Sequence, residues 1–175
     1  MIVPALVTAR LRLVPVSLEV VEAVLDHDKG RAEAIVGAEF PDEWPNDDLI
    51  ARAFPYSREA LREDPDVRLW GDSLVILRDQ PTIVGSVVFH GRPVDGIAEV
   101  AYGIEEHSRG QGLAIEATAA CVQWALAQPE VTCVQATTFP WHLASLGVIR
   151  RLGMHQVGTR EHDTLGELLV FERRR

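Results

Sequence analysis

At 175 residues, with 47% hydrophobic and 25% charged residues, the chain is long enough to bury a substantial core and too evenly composed for disorder. Its formal charge of −9 opposes nonspecific binding to nucleic acid, which works by Lys and Arg displacing counterions. Nothing approaches the roughly 20 apolar residues of a membrane span, and residues 1–13 carry no cation ahead of their short apolar run, so neither a membrane nor a signal peptide is expected and the chain reads as cytoplasmic.

Residues 11–16, LRLVPV, read as a strand whose Pro15 suits a sheet edge. Ser17 then stands where it can cap a helix carrying Val20, Val21, Val24 and Leu25. From 29 to 65 the pattern loosens, with short helices expected at 31–36, 47–53 and 57–63 and breaks at Pro41, Pro45 and Pro55. Asp42, Glu43, Asp47 and Asp48 lie here beside Trp44 and Phe54. The segment suits a substrate lip, with carboxylates and an indole face around an ammonium group, or a solvated helical excursion with its aromatics turned inward.

Residues 68–78 and 82–91 read as strands joined by the turn Asp79-Gln80-Pro81, the second apolar enough for the middle of a sheet. A turn at 92–96 leads into a strand at 97–104. Residues 105–112 form a polar turn holding Gly110 and Gly112, and from Gln111 to Gln128 the apolar residues Ala114, Ala117, Cys121, Trp124 and Ala125 take helical spacing. Glycines between a strand and a helix N-terminus let successive N–H groups converge at the positive end of the helix, which is how phosphate is held; they also permit a plain tight turn. Arg109 adds a cation, and Ala114 keeps the first helical turn thin. Two common phosphate loops fail: Leu113 and Ala114 stand where a P-loop needs Lys and Ser or Thr, and Ile115 where the dinucleotide fingerprint needs Gly or Ala.

The alternating stretch 131–139 completes strand–helix–strand, hence a parallel pair with a right-handed crossover. A helix at 143–152 stops at Gly153, and 155–160 with 165–173 close the chain as a hairpin turning near Asp163. Cys121 and Cys133 have no metal-ligand neighbours at zinc spacing and read as buried free thiols.

The run His107-Ser108-Arg109-Gly110-Gln111-Gly112 resembles the pyrophosphate loop of the GNAT superfamily of acyl-CoA N-acyltransferases, Gln/Arg-x-x-Gly-x-Gly/Ala, with His107 at the first position. With Tyr102-Gly103-Ile104 before it and Leu113-Ala114 after it, the stretch is similar to the ribosomal-protein N-acetyltransferase branch, the RimJ/RimL type. A second likeness lies at the last helix, where His142-Leu143-Ala144-Ser145 and Leu152-Gly153-Met154 stand for that branch's Asn-Pro-Ala-Ser and Leu-Gly-Phe.

The resemblance implies an α/β (α+β) GNAT fold, a mixed and mostly antiparallel sheet of six to seven strands with a splayed parallel pair and flanking helices. It implies one domain over 1–175, with 29–66 as the variable acceptor-side region and 97–154 as the acetyl-CoA-binding core. Acetyl-CoA would be the cosubstrate, held by Tyr102, Ile104, His107, Arg109, Gly110, Gln111, Gly112, Leu113, Ala114, His142 and Ser145. The partner would be a primary amine, on a protein N-terminus or a small molecule, with a homodimer left open.

An amine with a pKa near 10.4 needs a base at neutral pH. Glu99, just ahead of the splayed region, is the candidate, against the plainer reading of a solvated strand-start residue; His90 ranks second. The tyrosine that many family members carry on the last helix aligns with Ile149, which leaves Ser145, His142 or water to meet the departing thiolate, or the thiolate to leave unaided. The alternative from another class is a GNAT-fold sensor or partner module that binds CoA without turnover.

Overall fold

Apolar side chains in the central strands alternate between two faces, and helices cover both. The computed structural model describes residues 5–42 and 44–175, so Glu43 and the first four residues of the opening stretch lie outside the described residues. The strands are β1 (Leu6–Val7), β2 (Leu11–Pro15), β3 (Asp72–Leu77), β4 (Ile83–Phe89), β5 (Ile97–Ile104), β6 (Cys133–Thr138), β7 (His155–His162) and β8 (Gly166–Arg174). They form one sheet in the order β1-β2-β3-β4-β5-β6-β8-β7. The described sheet has eight strands where six to seven are expected, because Leu6 and Val7 pair with Leu13 and Arg12. Only the two-residue β1 lies beyond β2, which accounts for Pro15 near its end.

The helices are α1 (Leu18–Leu25), α2 (Lys29–Val36), α3 (Asp47–Glu63), α4 (Leu113–Ala127) and α5 (Leu143–Arg151). Alternation in β3 sends Leu74 and Ile76 to one face, where Val20, Val24, Ala32 and Val36 of α1 and α2 meet them. Val75 points to the other face, into a larger cluster with Leu113, Ala117 and Cys121 of α4 and Ile149 of α5. Ser17 caps α1 as expected, accepting from the Val20 N–H. No helix among the described residues is long and apolar enough to cross a membrane.

Two elements differ from their expected form. Residues 47–63 make one helix that runs through Pro55 instead of breaking there. An interior proline costs about 3 kcal/mol. Against this, the Asn46 side chain caps the Leu49 N–H at 2.9 Å, Leu61 is buried and Ile50 and Phe54 pack on the α1–α2 cluster. At about 1.5–3 kcal/mol for each fully buried apolar side chain, that face outweighs the proline. The strand expected from Arg68 starts instead at Asp72, since Pro65–Trp70 coil into a 3-10 turn whose Asp66 N–H is taken by the Asp64 carboxylate at 3.1 Å.

The feature that positions the site is a split in the sheet. β5 and β6 run parallel but pair only at Ile97, Ala98 and Glu99 against Cys133, Val134 and Gln135. Beyond that point β5 stays with β4 as far as Ile104 opposite Gly85, while β6 stays with β8 as far as Thr138 opposite Leu169. The two halves of the sheet therefore diverge like a V.

Candidate functional site

The antiparallel β4–β5 ladder fixes which β5 groups face the split. Glu99 O accepts the His90 N–H, so alternate residues from Glu99 turn towards β4, leaving the backbone polar groups of Val100, Tyr102 and Ile104 towards the opening. A segment of strand with no strand beside it is a template for an extended, amide-bearing ligand. The opening is a cavity of about 330 Å³ lined by β5, β6, the α5 start and the β7–β8 hairpin.

Three expected residues meet in it: Tyr102, His142 and Ser145. The Tyr102 hydroxyl lies 3.0 Å from Ser145 Oγ and donates to Ser145 O at 3.1 Å. Burial pushes the Tyr102 phenol above its ordinary range, with the Ser145 bond pulling weakly the other way, so the hydroxyl keeps its proton at neutral pH. His142 is the N-cap of α5 but its ring makes no capping bond, and it stays exposed towards the cavity beside Trp141. Ile149 is wholly buried in the core, so the site's hydroxyls come from β5 and the start of α5.

The glycine loop continues from the end of β5. Gly110 and Gly112 adopt φ of 75° and 76°, the left-handed region that a Cβ disfavours. Gly112 is the N-cap of α4 and supplies no side-chain bond. Among the described residues, none of the backbone N–H groups of 110–115 donates to a backbone carbonyl; the first amide of α4 to do so is that of Glu116, to Gly112 O. These open donors sit at the positive end of a 15-residue helix, which makes a cradle for an anion. Arg109 donates from Nε to Ile104 O at 2.8 Å, tying loop to strand. The backbones of Gln111, Leu113 and Ala114 belong to the cradle, Leu113 burying its side chain beneath it. Ile104 packs its side chain on the core, and His107 is exposed in the 3-10 turn Glu106–Ser108.

Sequence reasoning missed a support for this loop. Arg10 donates from Nη1 to Gln111 O at 2.9 Å and from Nε to Glu116 at 2.7 Å. Glu116 also accepts from Thr8 Oγ1 at 2.6 Å and from the Arg10 N–H at 2.9 Å. Burial works to raise the Glu116 carboxyl, but these donors together hold it below its usual range. Nothing local in the sequence pairs residues 106 positions apart.

Glu99 does not line the cavity. It is the last residue of β5 that pairs with β6, and strand alternation puts its side chain on the face opposite Tyr102. There Arg160 of β7 donates to its Oε1 at 2.8 Å, and His90 Nδ1 lies 3.7 Å away. His90 in turn lines a second cavity of about 290 Å³ with Ser57, Leu61, Arg68, Trp70 and Asp72. Desolvation pushes the Asp72 carboxyl up, with His90 opposing. Neither Arg160 nor Asp72 carried a signal in the sequence beyond lying on an expected strand.

The acidic, aromatic segment turns elsewhere. Trp44 stacks on Phe40 at 5.6 Å and packs against the α1–α2 core, while Asp42 pairs with Lys29 at 3.6 Å. A third cavity of about 150 Å³ there shares no lining residue with the other two. The reading with inward aromatics holds for Trp44, and the part of 29–66 that shares a cavity with His90 is the second half of α3. Cys121 and Cys133 are free and buried; burial pushes the first to about 12, and burial with the nearby Glu172 carboxylate pushes the second to about 11.

Comparison with known proteins bears on this geometry. Residues 10–155 match the acetyltransferase (GNAT) domain family. An uncharacterized N-acetyltransferase of Bacillus subtilis (strain 168), YjdG, is 30% identical over 147 residues, covering 83% of this chain and 86% of that protein. Among solved structures, a GnaT-family acetyltransferase from Bordetella pertussis superposes with a TM-score of 0.70 at 23% identity, over 97% of this chain and 98% of that one. RimL, a ribosomal L7/L12 alpha-N-protein acetyltransferase solved with coenzyme A, gives 0.66 at 17% identity, over 96% of each chain.

Proposed function

The chain belongs to the GNAT acetyltransferase family, and we propose that it moves an acetyl group from acetyl-CoA to a primary amine by direct attack on the thioester. The observation that carries this reading is the junction of the split sheet with the uncapped start of α4. Pantetheine, an extended diamide, matches the free edge of β5 at Val100 and Tyr102, up to the Ile104 carbonyl that Arg109 already holds. The diphosphate matches the open N–H groups of 110–115, with Arg109 beside them. His142 and Ser145 border the arm at the start of α5, and His107 stands at the outer rim for the nucleotide end. RimL, of the same fold, was solved with coenzyme A, and the microcin C7 self-immunity acetyltransferase MccE with acetyl-CoA.

In the reaction the amine nitrogen bonds to the acetyl carbonyl carbon and the carbon–sulfur bond breaks, giving an amide and a thiol. Glu99 takes the proton the amine loses, directly or through one water, from the face of the sheet opposite Tyr102. Ser145 Oγ, with the Tyr102 hydroxyl behind it at 3.0 Å, offers a proton to the departing sulfur. The thiols of Cys121 and Cys133, buried and pushed to about 12 and 11, are poor nucleophiles, which supports direct transfer over an acyl-enzyme.

The test is release of free thiol from acetyl-CoA across a panel of amines and N-terminal peptides, with mass analysis of the acceptor. Amine-dependent thiol release and an acceptor heavier by one acetyl group are expected. Tight acetyl-CoA binding without release for any amine would instead mark a sensor or partner module.

A further inference from the structure

We propose that the accepted amine is carried on an uncharged apolar group, and that this group packs on Leu165, Leu168 and Ala101 in the half of the split-sheet cavity that lies on the Glu99 face. The inference rests on the transferase reading and names the class of its substrate.

Strand register shows that the cavity passes through the sheet. Val100 and Tyr102 belong to the face that packs with α4 and α5, and alternation sends Glu99 and Ala101 to the other. On the far side of the split, Arg160 reaches Glu99 at 2.8 Å and stands opposite Leu168. Cross-strand partners share a face, so Leu168 also lies on the Glu99 face. Thr137 joins it there, because its partner Val170 is two positions along the same strand. Ala101, Thr137 and Leu168 line the cavity, as do Tyr102 and Ser145. With the acyl donor on the Tyr102 side, the Glu99 side is left for the amine and the group that carries it.

The lining decides what that group can be. Charged residues make up 25% of the chain, and each of the other two cavities includes some, Lys29 and Asp42 in one and Arg68 and Asp72 in the other. Among the described residues, the split-sheet cavity is lined by no Asp, Glu, Lys or Arg; its polar side chains are hydroxyls and two imidazoles. Glu99 and Arg160 pair with each other and stay outside the lining. A second ammonium brought here would lose its water and find no carboxylate. An apolar group finds Ala101 and Leu168 on the sheet and Leu165 on the hairpin turn. Leu165 is 63% exposed, and its position is fixed, since His162 Nδ1 accepts the N–H groups of Thr164 and Leu165 at 3.3 Å each. The same imidazole packs 6.1 Å from the Phe139 ring, which lines the cavity from the start of the β6–α5 loop. Covering these apolar side chains releases water, and that gain selects the substrate. An alkylamine has the required form, and so does a polypeptide N-terminus whose first side chain is large and apolar.

The experiment compares kcat/KM for hexylamine with that for its terminal diamine, in the parent, in Leu165→Glu and in Leu168→Ala. Peptides beginning with norleucine or with lysine form a parallel pair of equal length, which separates protein from small-molecule acceptors. Calorimetry of each amine and peptide with the CoA-loaded protein gives a readout that does not need turnover, and the melting temperature and acetyl-CoA affinity of each variant check its fold. The expected result is a preference of about tenfold or more for the apolar member of at least one pair. Leu168→Ala reduces that preference and Leu165→Glu abolishes it, with matching changes in binding. Equal use of both members of each pair by the parent, a parent preference for the dication, or a preference that survives in both variants overturns the proposal. An apolar amine that binds the parent and not Leu165→Glu, with no amine acetylated, upholds the apolar site and overturns the transferase reading. No binding and no acetylation of any amine overturns both.

Discussion

At the residue scale, the proposed proton chemistry falls to two groups on opposite faces of one strand. Glu99 is an acceptor on the α1–α3 side, held by Arg160 at 2.8 Å. Tyr102 is a proton-retaining hydroxyl on the other side, joined to Ser145. Glu99→Gln keeps the shape and the Arg160 contact but cannot take a proton, so kcat falls about 100-fold, the usual worth of a general base, with acetyl-CoA affinity kept; unchanged turnover removes Glu99 from the mechanism. Tyr102→Phe removes both hydroxyl contacts with Ser145 and lowers kcat about fivefold, in line with roughly 1 kcal/mol for the bond to Oγ, while leaving the melting temperature close to the parent's. In the loop, Gly110→Asp forces a Cβ onto a backbone at φ 75° and sets a carboxylate against the anion cradle. A Cβ there meets no neighbouring atom within 4 Å, so the expected damage is to ligand binding and not to packing. Calorimetry then finds no acetyl-CoA binding by a protein whose circular dichroism matches the parent's, and intact affinity rejects the loop.

At the element scale, the anion cradle depends on the chain's beginning. Thr8 and Arg10, just before β2, converge on Glu116 in the first turn of α4, and Arg10 also holds the Gln111 carbonyl. Glu116→Gln weakens these bonds and costs about 1 kcal/mol at neutral pH, a figure already reduced for solvent screening. The carboxyl's pKa is lower folded than unfolded, so its contribution is complete above the ordinary carboxylate range and is lost as pH falls through the depressed value. Denaturant melts of parent and variant should therefore differ at pH 7 and converge as pH falls through and below the carboxylate range; a constant difference would mean that the charge is not what matters. The same joint explains what the sequence made legible. β5, the glycine turn and α4 are adjacent in the chain, so strand pattern, glycines and helical spacing signal them together. Arg10 and Arg160 reach Glu116 and Glu99 through register and packing across sequence separations of 106 and 61, and no local pattern encodes that. α3 hid for the opposite reason, because the local signal of Pro55 is real but weaker than the apolar face it interrupts.

At the scale of the whole molecule, the helices divide the labour of the sheet. α4 and α5 pack on the face that carries Tyr102 and the start of the anion cradle, and α1 and α2 pack on the other. The formal charge of −9 favours encounter with cations over long range. For a cationic amine acceptor, kcat/KM should accordingly fall severalfold as salt rises from low to several hundred millimolar, because screening shortens that reach. An uncharged analogue should bind with little salt dependence, and the same dependence for both would remove the field from the account. The most direct test of the central claim, that the split sheet and the α4 cradle form one acetyl-CoA site, is calorimetric titration of the purified protein with acetyl-CoA, with ATP and NAD as controls. The account predicts saturable binding of one acetyl-CoA per chain and none of the controls at the same concentration. A folded protein that binds no acetyl-CoA, or binds all three alike, would contradict it.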